Sequence, residues 1–148
     1  MDEQSGPPLL SSVPRPFQVQ IVVGGPLLAG AVCGFLLGET EIGWWVANAA
    51  AGLGGFAGGF DHAGARAGLR RGLLSGALFG LGVVGADAIA GDPNLTDVPS
   101  PIALLILVTT VLGGTLGSIG GAARARYERR RQSARIASTP SAPGDEVS

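Results

Sequence analysis

The chain has no lysine, and only one cysteine, one histidine, one methionine and one tyrosine among 148 residues. A single cysteine excludes a disulfide scaffold and any site built from several thiolates. A lone histidine gives no Ser/His/Asp set, and a metal site would need His62 and Asp61 plus ligands from elsewhere. Charge is scarce too, at 14% of residues against about 25% in a typical soluble domain. With 46% apolar residues, that deficit argues against a soluble globular protein. What is abundant is glycine, 26 residues, about 18% of the chain where about 7% is usual. The glycines follow no G-X-Y period, which excludes collagen.

The gaps between charges define the architecture. Arg15 and Glu39 are separated by 23 uncharged residues, Glu41 and Asp61 by 19, Arg71 and Asp87 by 15, and Asp97 and Arg124 by 26. About 20 residues of helix cross about 30 Å of hydrocarbon. Four transmembrane helices are therefore expected at 18–38, 43–60, 69–90 and 101–123, the third only if Arg71 or Asp87 sits near a boundary. The fold class is all-α, a polytopic membrane protein of two tandem helical hairpins. Pro26 lies inside the first span, where neighbours must satisfy the carbonyl it frees. Pro99 and Pro101 precede the fourth, as suits a helix start. Trp44 and Trp45 stand where an interfacial aromatic belt is expected.

Charge sign sets the orientation. All ten basic residues are arginine. Arg15 precedes the first span, Arg66, Arg70 and Arg71 lie between the second and third, and Arg124, Arg126, Arg129, Arg130, Arg131 and Arg135 follow the fourth. The other connections hold only acids: Glu39 and Glu41, then Asp87, Asp92 and Asp97. The positive-inside rule puts both termini in the cytoplasm of a multi-pass cell (plasma, or inner) membrane protein. The N-terminus opens on Asp2 and Glu3 instead of a basic region, so the first helix reads as an uncleaved anchor. The expected divisions are a disordered tail over 1–16, a transmembrane domain over 17–123, a basic juxtamembrane helix over 124–135 and a disordered tail over 136–148. The arginines of that helix, Arg124, Arg126, Arg129, Arg130 and Arg131, match anionic lipid head groups.

The glycines recur every four residues, which places them on one helix face. Gly30, Gly34 and Gly38 do so in the first span. Ala47, Ala51, Gly55 and Gly59 do so in the second, and Gly64, Gly68, Gly72, Gly76 and Gly80 run from the inner loop into the third. Gly113, Gly117 and Gly121 continue the pattern in the fourth. Small-xxx-small stripes let backbones approach closely, a main cause of helix association in lipid. The stripes are used either inside one bundle or at a contact with another subunit. Gly30–Gly34 resembles Gly76–Gly80, and Leu53-Gly54-Gly55 resembles Leu112-Gly113-Gly114, which suggests a parallel repeat.

Other motifs fail on context. Gly80-Leu81-Gly82-Val83-Val84-Gly85 fits a dinucleotide fingerprint, but it lies inside a span with no strand before it. The arginine run has no interleaved aromatics, so nucleic acid is not expected as a partner. Asp61 is expected to pair with Arg66 or Arg70. Asn48, Ser75, Thr109, Thr110, Thr115 and Ser118 are mild polar groups suited to hydrogen bonds between helices. Asp87 lies 16 residues after Arg71, about 24 Å along a helix. That is short of the hydrocarbon thickness, which makes it the candidate ion or proton site if it dips into the bilayer. An interfacial aspartate near a helix end is the plainer reading.

The segment Gly54-Gly55-Phe56-Ala57-Gly58-Gly59 through Gly72-Leu73-Leu74-Ser75-Gly76-Ala77 resembles small glycine-rich four-helix membrane proteins of prokaryotes. The resemblance covers the membrane core, implies the same topology, and implies no catalytic or binding residue. The expected function is non-enzymatic, structural or accessory, without cofactor or metal. The partners are the bilayer and its anionic lipids, with itself or another membrane protein as further candidates. The alternative is a small channel or transporter made by homo-oligomerisation.

Overall fold

The computed structural model describes residues 14–62, 64–91 and 103–138. Most of the two tails and the 92–102 connection, with Asp92, Asp97, Pro99 and Pro101, lie outside the described residues. Four helices account for nearly all of the rest. They are α1, Arg15–Glu39; α2, Glu41–Phe60; α3, Ala65–Ala90; and α4, Ala103–Ser138. Three are long and apolar enough to cross a membrane: Arg15–Glu39, Ala65–Ala90 and Leu104–Ala134. With 20 residues, α2 has the length, about 30 Å, but its glycines and Asn48 dilute its apolarity.

Local chemistry sets the ends. Pro16 lies in the first turn of α1, where its missing N–H is harmless. Thr40 alone separates α1 from α2. Its extended backbone (φ −160°) ends the first helix, and its hydroxyl accepts from the Gly43 N–H at 3.4 Å to cap the second. Gly64 precedes α3 with φ +114°. Gly91 ends α3 in the left-handed region, φ +68°, its N–H bonded to the Asp87 carbonyl at 3.1 Å. A side chain there is strained, so Gly91→Ala should cost about 1–2 kcal/mol. Thermal unfolding in detergent, followed by circular dichroism, checks it.

Some boundaries move from expectation. Arg15 and Pro16, expected in the N-terminal tail, are helical, and so are residues 136–138, expected in the C-terminal one. The third helix starts at Ala65 instead of 69, which carries the glycine stripe past the expected membrane edge. The fourth continues unbroken through the basic segment, because Arg124 to Arg135 holds no helix breaker.

Contacts along the helices fix their directions. Gly30 and Gly34 of α1 face Phe79 and Val83 of α3, so these helices run parallel. Gly59 of α2 faces Gly117 of α4, and Phe60 faces Gly120, a second parallel pair. Gly68, Gly72 and Gly76 meet Gly117, Gly113 and Thr109 in descending order, so α3 and α4 are antiparallel. The broadest interface joins α3 to α4, the next α3 to α1, and α2 lies against α4 and less extensively against α1 and α3. The two hairpins are therefore unequal: α3 and α4 are closely apposed, whereas α1 packs more extensively on α3 than on its own hairpin partner.

Among the described residues, the buried apolar side chains are few: Cys33, Leu37, Trp44, Val83, Ala86 and Leu105. They gather toward the end of the bundle that holds Glu39 and Glu41. Large apolar side chains on every helix point outward instead, Ile42 at 77% exposed, Leu53 at 72% and Ile89 at 80% among them. Trp44 faces the bundle interior instead of a surface. It is 7% exposed and packs in the core with Leu37, Val83 and Leu105, while Trp45 is 59% exposed.

Candidate helix-packing interface and arginine end

Several of the helix contacts fall at glycines. A methyl group placed on Gly72 would run into the carbonyl of Gly113, and one on Gly113 would lie 2.9 Å from Gly76 Cα. Gly76 and Gly80 face Thr109, and Gly80 also faces Ile106. Gly68 faces Gly117 and Gly121, and Gly121 in turn faces Gly64. On the opposite side of α3, Gly82 meets Leu27 and Ala31 of α1, while Gly34 would place a methyl 2.8 Å from Ala86 Cβ. Gly59 and Gly120 bring α2 onto α4. At each of these positions the obstacle includes backbone, which cannot rotate away. Gly38 is half-buried. Gly55, with Gly54 and Gly58 beside it, has open space: a methyl on any of the three meets nothing within 4 Å.

Sequence reasoning overlooked Gly82 and Gly120 as contact positions. Gly80 and Gly82 are two residues apart, so they lie on nearly opposite sides of α3. What resembles a dinucleotide fingerprint is a helix pressed between two neighbours. The spacing carried that signal, but a four-residue period alone does not reveal a second face.

Because α1 and α3 are parallel and α2 and α4 return, the described arginines gather at one end of the bundle and along the C-terminal extension of α4. Glu39, Glu41 and Asp87 sit at the other end. Arg124 is held firmly. Its Nε donates to Glu128 Oε1 at 2.7 Å, its Nη1 to the Phe60 carbonyl at 3.4 Å, and its guanidinium lies 5.9 Å from the Phe60 ring centre. It ties α4 to the end of α2. Arg126, Arg129, Arg130 and Arg131 are exposed, and Arg131 stacks over Tyr127 at 4.8 Å. Arg71 donates from Nη1 to the Val22 carbonyl of α1 at 2.9 Å.

The expected pairing of Asp61 is not formed. Asp61 makes no ion pair with Arg66 or Arg70 among the described residues; it is exposed and closes α2 through its own N–H to the Ala57 carbonyl. His62 turns back on its helix, Nδ1 3.1 Å from the Gly58 carbonyl. The mild polar groups also bond along their own helices and not between them. Asn48 donates to the Trp44 carbonyl, Thr109 to Leu105 and Ile106, Thr110 to Ile106, Thr115 to Val111 and Ser118 to Thr115. The single hydroxyl donors of the threonines and the serine are thereby taken up within α4 and are not left to donate between helices. Asp87 is half-buried, one turn before the end of α3, and forms no ion pair among the described residues. The chain matches no protein-family model, no curated protein and no solved structure.

Proposed function

We propose that the chain is a non-enzymatic multi-pass protein of the cell membrane, a closed four-span bundle with a structural or accessory role beside other membrane proteins. One observation carries the reading. Gly30, Gly34, Gly59 and the stripes of α3 and α4 face neighbouring backbone, while large apolar side chains face outward on every helix. In water that inversion would expose apolar surface at about 25 cal/mol per Å². In hydrocarbon it has no such penalty, and close backbone contact becomes the means of association.

The parallel course of α1 and α3 supports four crossings instead of three. If both span the bilayer in one direction, the chain between them must return, and α2 is that segment. Its two least favourable features are covered in part, since Asn48 bonds Trp44 and Gly59 faces α4. The positive-inside rule then sets the arginine end, and both termini, in the cytoplasm. There the exposed Arg126, Arg129, Arg130 and Arg131 attract anionic head groups, at roughly 1 kcal/mol each. Arg124 contributes less, because Glu128 already neutralises it.

The experiment is ion flux from liposomes carrying the purified protein. The structural reading expects leakage equal to that of empty liposomes, with no change on Asp87→Asn. Flux that disappears in Asp87→Asn protein, with folding intact, would overturn it in favour of a channel or transporter.

A further inference from the structure

The first helix carries a defect that its neighbour repairs. Pro26 has no N–H, so the Val22 carbonyl one turn earlier loses its usual donor. Just upstream, Gln20–Gly24 is wound as a π turn, with the Gly25 N–H bonded five residues back to the Gln20 carbonyl. Gly24 and Gly25 complete a run in which a methyl group on either glycine would meet nothing within 4 Å. The donor missing at Val22 comes from α3, where Arg71 Nη1 reaches its carbonyl at 2.9 Å.

Burial changes at the same point. After Pro26, α1 buries Gly30, Cys33, Gly34 and Leu37. Before it, no residue from Arg15 to Gly24 is buried. A π turn, a glycine pair and a proline are each recognised causes of helix bending, and here they coincide with the end of close packing.

We propose that Arg15–Gly24 is a hinged arm, pivoting at Gly24-Gly25-Pro26 and latched to α3 by Arg71. Closed, the latch pairs a guanidinium with an acceptor that the helix itself leaves without its usual donor. Open, it frees the first turns of α1 to move and presents Arg71 at the arginine end of the bundle.

Spin-label distances in lipid nanodiscs test it, in a Cys33→Ala background. One label pair reports the arm (Phe17→Cys with Leu112→Cys), and a second reports the packed half (Phe35→Cys with Leu112→Cys); all three sites are exposed. Arg71→Met removes the donor and keeps the length. It should at least double the width of the arm distribution and leave that of the packed half unchanged. Pro26→Ala restores an N–H for the Val22 carbonyl. Added to Arg71→Met, it should return the arm to its wild-type width. An arm unaffected by Arg71→Met, broadening of both pairs together, or no rescue by Pro26→Ala would each overturn the proposal.

Discussion

Gly72→Val should break the contact between α3 and α4. A first methyl at this position would already collide with the Gly113 carbonyl oxygen. It would also stand 2.7 Å from the Gly113 carbonyl carbon and 3.1 Å from Gly114 Cα. All three are backbone atoms, so relief requires the helices to separate. Separation at Gly72 also loosens the Gly68–Gly117 and Gly76–Thr109 contacts, because the stripe is continuous along the helix. Overpacking a core with movable side chains costs about 1–3 kcal/mol; with no side chain to move, about 3 kcal/mol or more is expected. Equilibrium unfolding in mixed micelles measures it. Gly58→Ala is the matched control. Its methyl meets nothing, and alanine favours helix over glycine, so a gain of about 0.5 kcal/mol is expected. Equal effects at the two positions would contradict the packing argument.

Trp44→Ala should have the next largest effect. Trp44 fills the space between Leu37, Val83 and Leu105, so it joins residues of three other helices at the acidic end. Large-to-small substitutions in soluble cores lose transfer energy and leave a cavity, about 3–5 kcal/mol for tryptophan. For a bundle in lipid, as proposed, the alternative solvent is not water, and the transfer share shrinks. About 2–3 kcal/mol is expected, dominated by the cavity. Trp45→Ala should stay within about 0.5 kcal/mol, since Trp45 is on the surface. The same unfolding assay compares them, and a larger loss at Trp45 would place the interface on the wrong tryptophan.

Much of the architecture is legible in the sequence because few forces set it. Long uncharged runs mark α1 and α4 directly. The four-residue glycine period marks Gly68, Gly72, Gly76 and Gly80, which all turn to α4. What was not legible depends on partners distant in sequence. Trp44 and Trp45 are neighbours with the same composition signal. Only the cleft formed by Leu37, Val83 and Leu105 separates their roles. Arg71 reads locally as a charge near a membrane edge; its acceptor is 49 residues away, created by a proline on another helix. The polar residues of α4 read as possible bridges, yet Thr110 and Thr115 bond the carbonyls of Ile106 and Val111 one turn back. Gly55 sits in a small-residue stripe but meets open space, because the stripe predicts a capacity for close approach and not the neighbour that uses it.

A four-span bundle with α1 and α3 in one direction requires α2 to cross the bilayer. Cysteine accessibility tests it most directly, with the buried Cys33 replaced by alanine. Single cysteines at Glu39, His62, Thr96 and Ser133 are treated with a membrane-impermeant maleimide in intact cells and in inverted vesicles. With four spans, Glu39→Cys and Thr96→Cys react in intact cells, and His62→Cys and Ser133→Cys react in inverted vesicles. Reaction of Glu39→Cys and His62→Cys from the same side would mean that α2 does not cross, and would contradict a four-span bundle.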